Sequence, residues 1–162
     1  GALASRAVER VWASAGASVA RVAAPNADCG GGVGDDGASY FFWGGAGGAT
    51  GAVKAPTELA ALRGLDVVDV RGSGAHCLAL TGGGDIFAWG DAAGGALGLQ
   101  QLGGLPSPQR LSCLDRVRIG ALACGGGPHT LALDADGGRL LAWGRNAKGE
   151  LGHGAADGGC GQ

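Results

Sequence analysis

Two stretches of this chain are near copies of each other, and this limits the possible folds more than any single residue does. Val70-Arg71-Gly72-Ser73-Gly74-Ala75-His76-Cys77-Leu78-Ala79-Leu80 aligns with Ala123-Cys124-Gly125-Gly126-Gly127-Pro128-His129-Thr130-Leu131-Ala132-Leu133. After a Gly/Asp-rich turn, each leads into an apolar run ending in Trp-Gly, Ile86 to Gly90 in one and Leu140 to Gly144 in the other. The two histidines lie 53 residues apart and the two tryptophans 54. Self-similarity at a period near fifty marks a repeat architecture, in which each unit buries its apolar faces only against neighbouring units.

A decayed copy comes first. Tyr40-Phe41-Phe42-Trp43-Gly44 repeats the aromatic run, and Val11 to Ala20 follows the pattern of Val70 to Ala79 with Ala17 in the histidine's place. After Trp-Gly the units also agree. Gly90-Asp91-Ala92-Ala93-Gly94-Gly95-Ala96-Leu97-Gly98 matches Gly144-Arg145-Asn146-Ala147-Lys148-Gly149-Glu150-Leu151-Gly152. The first unit's counterpart, Gly44 to Gly51, is one residue shorter and lacks the leucine.

Glycine and proline make up 42 of 162 residues, a share that without periodicity would suggest disorder. Here the glycines recur between strand-like runs, as tight turns require. Net charge is −2 with 16% charged residues, which gives no basis for direct binding to nucleic acid or an acidic membrane surface. No apolar run reaches the length of a membrane-crossing helix. The five cysteines form no C-x-x-C pair, which fits reduced thiols in an intracellular setting, cytoplasm, nucleus or an organelle matrix. The chain contains no methionine and is read as a fragment or processed piece. Its first 24 residues, rich in Ala, Ser and Arg with Glu9 the one acidic residue, loosely resemble a transit segment. A decayed strand pair accounts for the same residues and also for the valine spacing.

Strand signals dominate: Val67 to Arg71, His76 to Leu80, Asp85 to Trp89, Val117 to Cys124, Thr130 to Leu133 and Arg139 to Trp143, separated by turns such as Thr81 to Gly84. Such short turns demand antiparallel hairpins. Lys54 to Thr57 and Leu102 to Pro108 read as Pro-bearing connectors, and Thr57 to Arg63 as a short helix ended by Gly64. The expected fold is all-β, with antiparallel four-stranded sheets stacked as propeller blades. Counted from the aromatic strand, the repeat units are 38–83 and 84–137. A degenerate partial repeat with a Gly-rich loop occupies 1–37, and a partial repeat with a flexible C-terminal tail occupies 138–162. An arc of this size leaves open sheet faces that call for further chain or another subunit.

The motif Cys124-Gly125-Gly126-Gly127-Pro128-His129-Thr130-Leu131-Ala132-Leu133, followed by Leu141-Ala142-Trp143-Gly144-Arg145-Asn146-Ala147-Lys148-Gly149-Glu150-Leu151-Gly152, resembles the regulator of chromosome condensation (RCC1-like) repeat. The likeness is strong over Val67 to Gly154 and weaker before it. The resemblance implies about three blades, two complete and flanked by partial ones, of a seven-bladed β-propeller. Members of that family include a chromatin-bound guanine nucleotide exchange factor for the small GTPase Ran, domains of ubiquitin ligases, regulators of ciliary or organellar proteins, and a plant ultraviolet photoreceptor. The photoreceptor's Gly-Trp-Arg-His-Thr is absent, since Gly126-Gly127-Pro128-His129-Thr130 stands at that place.

The recurring residues read as structural: Trp43, Trp89 and Trp143 as buried blade contacts, and Gly44, Gly90, Gly144, Gly149 and Gly152 as turn formers, with Leu151 in the last turn. His76 and His129 repeat inside apolar strands, so each is expected to bond a backbone carbonyl of its adjoining turn rather than serve as a base. Gly32-Val33-Gly34-Asp35-Asp36-Gly37 matches a dinucleotide fingerprint literally. A strand follows it where that motif needs a helix, so it reads as a loop. His153 shares no metal-ligand spacing with the other histidines, and the Asp35-Asp36 and Asp134-Ala135-Asp136 carboxylates are too few for calcium and read as turn chemistry. No catalytic constellation, cofactor or metal is expected. The function expected is a non-catalytic protein-interaction or scaffold module with a protein partner. The alternative is nucleotide exchange on a Ran-type small GTPase, although no segment matches that family's wedge hairpin.

Overall fold

A computed structural model of the chain describes residues 3, 6–24, 37–45, 51–99 and 103–152. The fingerprint stretch 32–36, His153 and the tail after it lie outside the described residues. Among those described, the structure is all-β: eleven strands in three antiparallel sheets. The first sheet holds β1 (Val8–Ser14), β2 (Ala17–Val22), β3 (Ser39–Gly44) and β4 (Val53–Glu58) in chain order. The second holds β5 (Val67–Gly72), β6 (His76–Thr81), β7 (Ile86–Gly90) and β8 (Leu105–Arg110). The third holds β9 (Ile119–Cys124), β10 (His129–Asp134) and β11 (Leu140–Gly144). Each sheet is one blade, and a repeat unit counted from the aromatic strand contains the last two strands of one blade and the first two of the next.

Two expectations need correction. The Pro-bearing connectors are strands: Lys54 to Thr57 lies in β4, and Leu105 to Pro108 opens β8. Proline lacks an N–H donor and is normally barred from a sheet interior. Both strands pair with a partner on one side only, so Pro56, Pro106 and Pro108 leave the ladder intact. The expected helix at Thr57 to Arg63 is the end of β4 followed by one 3-10 turn, Ala60–Leu62. Gly64, with φ +71°, closes it. Ser112–Leu114 repeats that turn in the second blade.

Pairing places the repeats in spatial register. Ala17 faces Gly44, His76 faces Gly90 and His129 faces Gly144 across their hairpins. One step further, Ser18, Cys77 and Thr130 face Trp43, Trp89 and Trp143. Burial then follows position in the stack. All six residues of β6 are buried, on both faces of the middle blade. In β10 the residues alternate between buried and partly exposed. Val8 and Val11 on the first blade, and Leu133 and Leu140 on the third, are exposed large apolar residues.

Candidate functional site

The recurring side chains converge on the two seams between blades. At each Trp-Gly the chain leaves the strand with φ of +113°, +106° and +102° at Gly44, Gly90 and Gly144. The next residue's N–H then bonds back to the preceding hairpin: Gly45 to Gly16 O, Asp91 to Ala75 O and Arg145 to Pro128 O. A Cβ on Gly144 would stand 2.5 Å from Pro128 O, and one on Gly44 would collide with Gly16 O. Glycine is therefore required there by both backbone angle and space.

The seam between second and third blades is built on a chain of polar groups. Ser73 Oγ lies 2.8 Å from His76 Nδ1, and His76 Nε2 lies 3.3 Å from Thr130 Oγ1. The Thr130 hydroxyl donates to Ala96 O at 3.5 Å, and the Trp143 indole N–H donates to the same oxygen at 3.1 Å. With the Thr130 proton directed at Ala96, the neutral imidazole donates from Nε2 and accepts the Ser73 proton at Nδ1. His76 is fully buried, and desolvation, followed by the nearby His129, lowers its pKa to about 4. It is neutral at physiological pH and stitches two blades together. The expectation of a backbone carbonyl partner is corrected here: both ring nitrogens meet hydroxyls, and the carbonyl of Ala96 is reached only through Thr130.

His129 stands in the equivalent place on the third blade but is only partly buried. Gly126 replaces the serine that orients His76. Beside the network, burial raises the thiol pKa of Cys77 to about 12 and of Cys124 to about 11, so neither is a ready nucleophile at neutral pH. Among the described residues no group of three or more His, Cys, Asp or Glu side chains could hold a metal ion.

The seam between first and second blades solves the same problem with other residues. Ala17 and Cys77 occupy the places of His76 and Thr130, and both belong to the apolar core. Trp89 packs edge-on against Phe42, centroids 6.1 Å apart and planes at 90°. One polar tie is Tyr40, whose hydroxyl donates to Leu65 O at 2.6 Å and accepts from Val67 N–H at 3.1 Å; Arg10 Nη1 donates to Val68 O at 3.3 Å across the same seam.

After Gly144 the turn is closed by its own side chains. Asn146 Oδ1 accepts from Leu151 N–H at 3.1 Å, and Gly149 and Gly152 take φ of +79° and +75° around the buried Leu151. In the second blade, Asp91 Oδ1 accepts from Ala93 N–H at 2.9 Å, and Leu97 is buried at the seam. Trp43, on the first blade's own outer side, is only partly buried. Reading the sequence singled out the histidines and tryptophans but missed Ser73, Thr130, Ala96 and Tyr40. The available signal was the serine three positions before His76 and the hydroxyl next to His129.

With the geometry in place, residues 83–133 match the family described as the regulator of chromosome condensation (RCC1) repeat. This stretch covers β7 through most of β10 and crosses the His76–Thr130 seam. The chain carries RCC1 repeats. Among curated relatives, the E3 ubiquitin-protein ligase HERC2 of Homo sapiens is 34% identical over 103 residues, 64% of this chain and 2% of that protein. The Ultraviolet-B receptor UVR8 of Arabidopsis thaliana is 34% identical over 99 residues, 61% of this chain and 22% of that protein. The RCC1 repeats here thus span a small part of either relative. In fold, yeast RCC1 (Prp20) superposes with a TM-score of 0.72 at 16% identity, over 94% of this chain and 35% of that chain. The sheets described above are blades of an RCC1-type propeller.

Proposed function

We propose that this chain is a non-catalytic protein-interaction module. One observation carries the reading: the side chains of the His76 network, His76, Thr130 and Trp143, lie sealed in a seam between blades. They hold the blades together, so recognition falls to the loops at the rims, where rigid scaffolds generally carry it. The similarity to HERC2, an E3 ubiquitin-protein ligase, supports a setting in which such blades accompany other activities. The exposed Val8, Val11, Leu133 and Leu140 suit further blades, supplied by a longer chain or by another subunit. The partner is a protein rather than nucleic acid or membrane, in keeping with a net charge of −2. An intracellular setting agrees with Cys77 and Cys124 being free thiols.

A second reading, nucleotide exchange on a Ran-type small GTPase, is favoured by the likeness to Prp20p, a protein whose binding properties to Gsp1p and histones are on record. A release assay with a fluorescent guanine nucleotide on Ran-type GTPases separates the two. The module reading expects no acceleration, and acceleration by catalytic amounts of this protein would replace it with exchange.

A further inference from the structure

The two ends of the stack are the two halves of one seam. On the first blade, Val8 and Val11 of β1 are 45% and 67% exposed, while Val67 and Val70, at the same places in β5, are buried. On the third blade, Leu133 and Leu140 are 44% and 63% exposed. Leu80 and Ile86, which stand at the same distances from His76 and Trp89, are buried. A neighbouring blade covers the inner set, so each end face lacks only its neighbour. The turn after Trp-Gly shows the same opening. A Cβ on Gly98 would stand 3.0 Å from Trp143 Nε1, whereas one on Gly152, its equivalent, would meet nothing within 4 Å.

The end faces also match each other in residue type, in the manner of the second seam. There the second blade presents His76, Ala88 and Leu97 to Thr130 and Trp143 of the third. The third blade's open face carries His129, Ala142 and Leu151 at those three places. The Glu150 carbonyl precedes Leu151 as Ala96 O precedes Leu97. The first blade's open face carries Ser18 and Trp43, paired across their hairpin as Thr130 and Trp143 are. Ser18, Trp43 and His129 are all only partly buried. The first seam follows another choice, with Ala17 and Cys77 in the places of His76 and Thr130, and Phe42 in that of Ala88. We infer that two copies of this chain dock head to tail, the third blade of each against the first blade of the other, with the Ser18 hydroxyl meeting His129 and the Trp43 indole N–H donating to Glu150 O. Two copies joined at both ends make a ring of six blades, within the range of about four to eight that propellers span. Such closure leaves neither end face bare. The inference rests on the interaction-module reading and names one partner for it, a second copy of the chain.

The test is sedimentation equilibrium of the full chain at concentrations up to roughly 1 mM. A mass twice that of the monomer is expected. Leu140→Glu on the third blade and Val11→Glu on the first change side chains that are exposed in the single chain. Circular dichroism checks that each variant keeps its sheets. Each alone is expected to be monomeric, because both seams would bury a carboxylate and the dimer would weaken at least about a hundredfold. Mixed, the two are expected to pair, since Val11→Glu keeps an intact third blade and Leu140→Glu an intact first blade. Ser18→Ala, which takes a hydrogen bond from both seams, is expected to weaken the dimer about tenfold. An unaltered chain that stays monomeric at roughly 1 mM overturns the proposal. So does a dimer that persists in either Glu variant, a mixture that stays monomeric, growth beyond the dimer, or undiminished association of Ser18→Ala. None of these results touches the module reading, which falls instead if the nucleotide-release assay shows exchange.

Discussion

The two seams of this molecule hold equivalent strands together by different chemistry. The first places Ala17 and Cys77 in the apolar core, adds the Phe42–Trp89 ring pair, and takes polar ties from the Tyr40 hydroxyl and the Arg10 guanidinium. The second replaces the small apolar pair with His76 and Thr130, and links Ser73, Ala96 and Trp143 into one network. A seam position is therefore not conserved within the molecule as a residue type. It is matched as a pair, since a buried imidazole needs hydroxyls opposite it and an alanine needs none.

The largest effect expected is at the ring pair. Trp89→Ala should cost about 3–5 kcal/mol in denaturant unfolding, because it empties the contact with Phe42. A cost below about 0.5 kcal/mol, typical of surface positions, would mean that the first seam is not held by its aromatic pair.

Next comes pH. His76 in the folded chain has its pKa lowered from 6.5 to about 4, so between these values the unfolded chain binds the extra proton. Its contribution to stability is complete above pH 6.5 and declines as pH falls toward 4, by about 1 kcal/mol per pH unit. The carboxylates of Asp134 and Glu58 act in a lower window. Asp134 is held down first by the Asp136 N–H and then by Arg139, and Glu58 first by Arg63. Their lowered values mean that their contributions vanish only as pH falls through the carboxylate range. Melting from pH 7 to 5 should therefore show a decline that His76→Asn flattens by close to one proton. An unchanged slope would take His76 out of the buried network.

Tyr40→Phe tests the buried polar tie of the first seam. It removes the hydroxyl from Leu65 O and the buried Val67 N–H, which keep their own bond at 3.0 Å, and should cost about 0.5–1.5 kcal/mol. The smallest effect sharpens the comparison most. Trp89→Phe and Trp143→Phe remove similar ring area, but only Trp143 loses an indole hydrogen bond. Trp143→Phe should be the costlier of the two by about 1 kcal/mol, and equal costs would mean that the Trp89 N–H is satisfied after all.

Much of the fold was legible because repetition and turn chemistry are local properties. The near-copy around His76 and His129 announced stacked units, and the Trp-Gly ends marked where strands β3, β7 and β11 stop. The strands β4 and β8 were not legible, because Pro56, Pro106 and Pro108 signal a break to any local rule. Only their place at the rim of a sheet makes proline harmless there. The histidine's true partners were equally hidden. Thr130 lies 54 residues from His76 and meets it only when one blade stacks on the next.

The sequence by itself determined that this protein is a stack of antiparallel blades, because periodic apolar runs between glycine turns permit no other way to bury both faces. Which groups meet across the seams was decided only by tertiary structure. Those contacts join residues far apart in the chain. Their energies depend on what the neighbouring blade presents, which no stretch of sequence contains.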